Sequence, residues 1–197
     1  MLTRDEALAR IARAAEAGKA AVFIGNGLNP RALYALKDRR ENFYMMGSMG
    51  LALPLAIGFS RRAGSAAMAV EGDGNALMGL SGMALAPTAR GTLVHVVLDN
   101  EVYESTGGQR TPAPGFSFVT AARAAGYATV VSVTDGGALS AALAEALGGR
   151  RTGFIHVRTA ADSGPPPPRV PFHPAEITRR FTASFRTSDT GRNEVAL

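Results

Sequence analysis

The chain has 197 residues, no Cys, three His and a formal net charge of +5. That length suits one domain with a sizeable core, and the lack of Cys excludes disulfides, thiolate-bound zinc and thiol catalysis and fits a cytoplasmic location. The positive charge is nearly all Arg, scattered in ones and twos (Arg39-Arg40, Arg61-Arg62, Arg150-Arg151, Arg179-Arg180) with no interleaved aromatics. This argues against a nucleic-acid partner and leaves a mild preference for small anions.

The start, Met1-Leu2-Thr3-Arg4-Asp5-Glu6, lacks the pattern of a signal peptide. Residues 3–17 read as a helix, with Thr3 and Glu6 in capping-box spacing and Leu8, Ile11, Ala12 and Ala15 on one face. Residues 20–24 form a short buried strand, Gly25-Asn26-Gly27 a tight loop, and Pro30 opens a helix to about Lys37. A short strand is expected over residues 43–46 and a helix of small and apolar residues over 49–61, with Gly50 and Gly58 allowing close packing. No apolar run has membrane-spanning length, because Gly and Pro interrupt residues 45–59. Two apolar strands follow, residues 66–70 and 92–97, joined by a helix over 75–86. Then come a helix over 116–125, a strand over 128–133, a helix over 135–147 capped by Asp135, and a strand over 154–157. Pro165-Pro166-Pro167-Pro168 is a stiff connector to a last helix over 174–185, expected to dock on the body or on a partner. The alternation implies an α/β fold, a doubly wound parallel sheet with helices on both faces. Residues 1–185 read as a single domain and 186–197 as a disordered tail.

Two strand-end motifs carry the chemistry. Gly72-Asp73-Gly74-Asn75 follows one strand and Leu98-Asp99-Asn100 the next, with Asp73 and Asn100 separated by 27 positions. In a parallel sheet these ends are neighbours, so an Asp oxygen and an Asn oxygen can share one hard divalent cation while the Gly72 and Gly74 backbone approaches a phosphate. Either motif alone reads as an ordinary turn. A dinucleotide fingerprint fits poorly, because Leu77 and Pro30 stand where GxGxxG would place its third Gly. Asn26 and Asn29 suit either a turn or a cofactor contact, and His95, His156 and His173 lack metal-ligand spacing and read as structural.

The paired motifs resemble the signature of thiamine-diphosphate enzymes, with Asp99-Asn100 where that family shows Asn-Asn. Phe43-Tyr44-Met45-Met46-Gly47-Ser48-Met49-Gly50-Leu51-Ala52 and Leu98-Asp99-Asn100-Glu101-Val102-Tyr103-Glu104-Ser105-Thr106-Gly107-Gly108-Gln109 resemble the phosphonopyruvate and sulfopyruvate decarboxylases, over about residues 22–185. The resemblance implies a thiamine-diphosphate-binding fold with Mg²⁺ held by Asp73, Asn100 and the Val102 carbonyl. The diphosphate would meet Gly72, Gly74 and Asn75, with Ser105 and Thr106 beside it and Asn26 in reach of the cofactor. Met49 would support the bend between the cofactor rings, next to Ser48, and the Gly47 carbonyl would accept from the aminopyrimidine. Gln109 and Arg110 are the nearest groups for an anionic substrate tail. In such enzymes a catalytic Glu comes from a separate pyrimidine-binding domain, for which this chain has no room. The resemblance therefore implies an α-type partner subunit, an assembly of α₂β₂ or larger, and decarboxylation of an anionic 2-oxo acid such as sulfopyruvate or phosphonopyruvate. A carboligase subunit of secondary metabolism and a non-catalytic binding subunit are the alternatives.

Overall fold

A computed structural model describes residues 1–161 and 164–186; the expected tail from 187 to 197 lies outside the described residues. The first helix, α1 (Arg4–Ala17), has the anticipated capping box. The Glu6 N–H donates to Thr3 Oγ1 at 3.2 Å and the Thr3 N–H to Glu6 Oε2 at 2.9 Å. Then follow β1 (Ala21–Ile24), α2 (Leu28–Leu36), β2 (Asn42–Tyr44), α3 (Ala52–Ala63), β3 (Ala67–Gly72), α4 (Asp73–Met78), α5 (Leu80–Met83) and β4 (Leu93–Asp99). A hairpin, β5 (Val102–Tyr103) and β6 (Gln109–Arg110), leads to α6 (Phe118–Ala124), β7 (Thr129–Val133), α7 (Gly136–Gly148), β8 (Thr152–Arg158) and α8 (Pro174–Arg186).

Six strands form one sheet in the order β2-β1-β3-β4-β8-β7, every pairing parallel. Alternation along the strands splits the core in two. Val22, Ile24, Met68, Val70, Val94 and Val96 face α1, α2 and α7, whereas Phe23, Ala69, Val97 and Phe154 face α3 and α6. The doubly wound arrangement is the expected one. The chain leaves β1 through α2 on one face and returns through α3 on the other, so the strand order reverses between β1 and β3. Sheets of this kind bind ligands at such a switch point, beyond the carboxyl ends of the strands.

Four local expectations change. The single helix over 75–86 is broken at Gly79 into α4 and α5, because the backbone there crosses that of Gly50. A Cβ on Gly79 would lie 2.5 Å from the Gly50 carbonyl oxygen. The same crossing holds Gly50 at φ +81°, a left-handed conformation, so α3 starts after Met49 and Gly50. Gly58, expected to permit close packing, faces open space. Pro30 lies two residues inside α2, and the β5–β6 hairpin had no forerunner in the apolar pattern.

The last helix docks on the body. Ile177 enters one core and Phe181 the other, so α8 packs at the β2 margin of the sheet. The Phe181 ring lies 5.0 Å from Phe23, 5.4 Å from Phe43 and 5.5 Å from Phe59, mostly edge-on, the favoured geometry for aromatic pairs. Arg180 pins the helix from outside, 2.5 Å from Asp38 and stacked on Phe172.

Candidate functional site

A cavity of about 140 Å³ opens at the carboxyl ends of β1, β3 and β4, with Asn26, Met49, Asp73, Asn75, Asn100 and Tyr103 in its walls. Asp73 is the first residue of α4 and is buried. Burial pushes its carboxyl above the ordinary range, and the Asp99 charge adds to the rise. The Thr111 hydroxyl, donating to Asp73 Oδ2, pulls the other way. Asn75 acts mainly as a tie between loops. Its Oδ1 accepts from the Gly50 N–H at 3.3 Å and its Nδ2 donates to the Asn26 carbonyl at 3.4 Å. Much of the side chain expected to contact a diphosphate is thus committed to the protein. The space above Gly74 holds the Tyr103 ring, which a Cβ there would meet at 2.2 Å.

Asn100 begins the turn into the hairpin, its Oδ1 accepting from the Val102 N–H at 3.1 Å. The bond from the Thr111 N–H to the Glu101 carbonyl, 2.9 Å, makes that couple the bonded pair of the ladder. By antiparallel alternation Val102–Arg110 is the non-bonded pair, which leaves the Val102 carbonyl outside the ladder. Asp99 does not line the cavity. His156 Nε2 and Arg158 Nη1 lie 2.9 and 2.7 Å from its Oδ2. Burial alone would raise the Asp99 carboxyl, but these two partners hold it below its ordinary value. Arg158 also meets Glu101 at 2.6 Å. Two of the three described non-glycine residues with positive φ are Ser48 and Glu101, next to Met49 and Asn100. Such strain collects at functional turns.

The structure brings Asn26, Met49, Gly72, Asp73, Gly74, Asn75, Asn100, Val102, Ser105 and Thr106 to one cavity. It does not bring all the candidates there. Gly47 and Ser48 line a neighbouring hollow beside Pro174 and Ile177, because the Ser48 bend separates them from Met49. Gln109 and Arg110 are exposed on β6, with Gln109 bonded to Thr106 at 3.0 Å. The cation in the wall is Arg4, buried at the start of α1 and 2.8 Å from Glu104. Arg4 lies far from the motifs in sequence and Thr111 just past the second of them, and no local pattern marks either. None of the three His lines this cavity. His95 sits between Glu71 (3.1 Å) and Tyr127 (3.0 Å), and His173 Nδ1 accepts from the Ala175 N–H at 3.3 Å.

Residues 27–157 match the thiamine pyrophosphate enzyme family, C-terminal TPP binding domain. The chain belongs to this family. Thiamine pyrophosphate, or thiamine diphosphate, is the family's cofactor. A phosphonopyruvate decarboxylase of Streptomyces viridochromogenes is 40% identical over 87% of the chain, which covers 44% of that protein. A sulfopyruvate decarboxylase subunit beta of Methanothermobacter thermautotrophicus is 34% identical over 68% of the chain, which covers 72% of it. The chain thus spans less than half of the Streptomyces relative it matches. The fold agrees with a benzoylformate decarboxylase from Polynucleobacter necessarius, TM-score 0.70 at 18% identity, over 81% of this chain and 33% of that one.

The residues present fit a diphosphate with its cation. Asn26 Oδ1 is buried in the cavity wall with no hydrogen-bond partner, an acceptor that suits a cation or a bound donor group and not a phosphate oxygen. The Asp73 carboxylate, disfavoured by burial, gains from a cation. Among the described residues no cluster of three His, Cys, Asp or Glu could hold a metal. One carboxylate, one amide oxygen and one backbone carbonyl suit a hard cation whose remaining charge comes from phosphate.

Proposed function

We propose that this chain is the diphosphate- and Mg²⁺-binding subunit of a split thiamine-diphosphate-dependent decarboxylase that acts on an anionic 2-oxo acid, sulfopyruvate or phosphonopyruvate. The observation that carries the reading is the convergence of Asp73, Asn100 and Val102 on one small cavity at the switch point. When bound, thiamine diphosphate supplies the electron sink that lets a 2-oxo acid lose carbon dioxide.

The chain's own residues hold and orient. Asp73 Oδ1, Asn100 Oδ1 and the Val102 carbonyl would ligate Mg²⁺. The backbone N–H groups of Gly74 and Asn75, in the first turn of α4 where such groups lack helical partners, would meet the diphosphate. Met49 would support the cofactor rings, and the Arg4–Glu104 pair keeps the hairpin against the opening. The names of the relatives support the substrate class and a subunit architecture. The size of the cavity supports a half-site, since 140 Å³ is far below the roughly 300–1,000 Å³ of a cleft that encloses a ligand of this kind. A partner chain would close the rest and bring the catalytic Glu.

Native mass spectrometry of the chain purified from its own organism tests the assembly, and carbon dioxide release from each of the two acids tests the substrate. A second subunit carried with thiamine diphosphate and Mg²⁺ is expected. Turnover by the isolated chain would overturn the split architecture, and no release from either acid would overturn the substrate class.

A further inference from the structure

We propose that Thr111 is a positioning residue for the cation site: it aims Asp73 and fixes the distance between Asp73 and the Asn100–Val102 turn. The inference rests on the cation reading of the cavity and adds a residue that lies outside both motifs. Thr111 is buried, and each of its polar backbone and side-chain donors has one destination. Its hydroxyl donates to Asp73 Oδ2. Its N–H donates to the Glu101 carbonyl, closing the hairpin between the two other candidate ligands, Asn100 and Val102. It thereby bonds directly to both segments that carry candidate ligands.

The direction of the hydroxyl bond is set by a third contact. The Ala113 N–H donates to Thr111 Oγ1 at 3.3 Å, so the hydroxyl already accepts there and turns its own proton to Asp73. Asp73 Oδ2 is thereby tied to Thr111, which turns Oδ1 into the better-placed oxygen for a cation. Groups that orient a ligand from behind in this way are worth about 10–100-fold in metal affinity. Valine has the shape of threonine without the hydroxyl. At position 111 it would take from Asp73 Oδ2 its Thr111 donor and from the Ala113 N–H its Thr111 acceptor, and so remove the bond that aims Asp73 toward the hairpin. Serine restores both bonds.

The test is calorimetric titration of thiamine diphosphate into the full chain, with any subunit that co-purifies, at graded Mg²⁺ concentrations. The Mg²⁺ concentration for half-maximal binding is the readout, and unfolding temperature without Mg²⁺ is measured alongside. We expect Thr111→Val to raise that concentration by about 10–100-fold and Thr111→Ser to stay within about threefold of wild type. Thr111→Ala replaces the valine variant should valine not fold. Unchanged Mg²⁺ dependence in the valine or alanine variant, even with a lowered unfolding temperature, would overturn the positioning role while leaving the cation site intact. Absence of any Mg²⁺ dependence in the wild type would overturn the site reading and this inference together.

Discussion

Replacing Asp73 with Asn should move the stability of the protein in opposite directions with and without its ligands. The side chain keeps its shape and can still accept from Thr111, but the charge is gone. Without ligand, burial already disfavours that charge, so the Asn variant should unfold at the same temperature as wild type or above it. The sign with pH follows. A carboxyl raised by folding holds its proton more tightly folded than unfolded, so its penalty is in full force above the folded-state pKa. It is relieved as pH falls from there toward the ordinary value of 3.8. The Asn variant lacks that gain. With thiamine diphosphate and Mg²⁺ at about 100 times the dissociation constant, wild type should gain about 2.7 kcal/mol. For a chain of this size that is a rise of about 5–11 °C, and the variant should show almost none of it. Scanning calorimetry of both proteins, with and without ligands and at two pH values, checks the argument. An Asn variant that keeps the full ligand-induced rise would refute the assignment of Asp73 to the cation. One that unfolds far below wild type without ligand would refute the claim that its charge is a burden there.

Further outcomes follow from packing. Phe181→Ala removes the ring that α8 places among Phe23, Phe43 and Phe59, and should cost about 3–5 kcal/mol. Thermal unfolding should fall by about 6–20 °C, and a change under about 2 °C would show that α8 is not held there. Arg4→Gln removes the buried guanidinium that lies 2.8 Å from Glu104 in the cavity wall. The loss should be on the order of 3 kcal/mol, with faster amide exchange across the 101–111 hairpin as the direct measure. Gly79→Ala drives a methyl into the Gly50 backbone and should cost about 1–3 kcal/mol and weaken thiamine diphosphate binding, both readable in one ligand-dependent thermal scan.

The sheet and most helices were legible because their signals are local. β-branched runs, the Thr3 box and the Asp135 cap each act within a few residues, and each is found in place. The two strand-end motifs were legible for a related reason. Parallel pairing of β3 with β4 brings their ends together by topology alone. What could not be read are features created by two distant segments meeting. The break at Gly79 exists because Gly50 lies against it. Arg4 reaches the cavity only because α1 starts beside the hairpin, a separation of 100 residues from Glu104. The β5 and β6 strands, two residues each, are too short for periodicity to register. The resemblance groups Gly47 and Ser48 with Met49, whereas the left-handed bend at Ser48, which no local pattern signals, sets them on a different hollow.

The meeting of Gly50 and Gly79 also limits how the site can change over evolution or by engineering. A Cβ at either position falls 2.5–2.7 Å from main-chain atoms of the other, and main-chain atoms offer nothing smaller to mutate to. No second substitution at the partner position can therefore compensate for the first. The pair is an isolated point in sequence space, entered only with both glycines present. Variants at Met49 or Asn75, the neighbours of this crossing, must be sought with the two glycines held fixed.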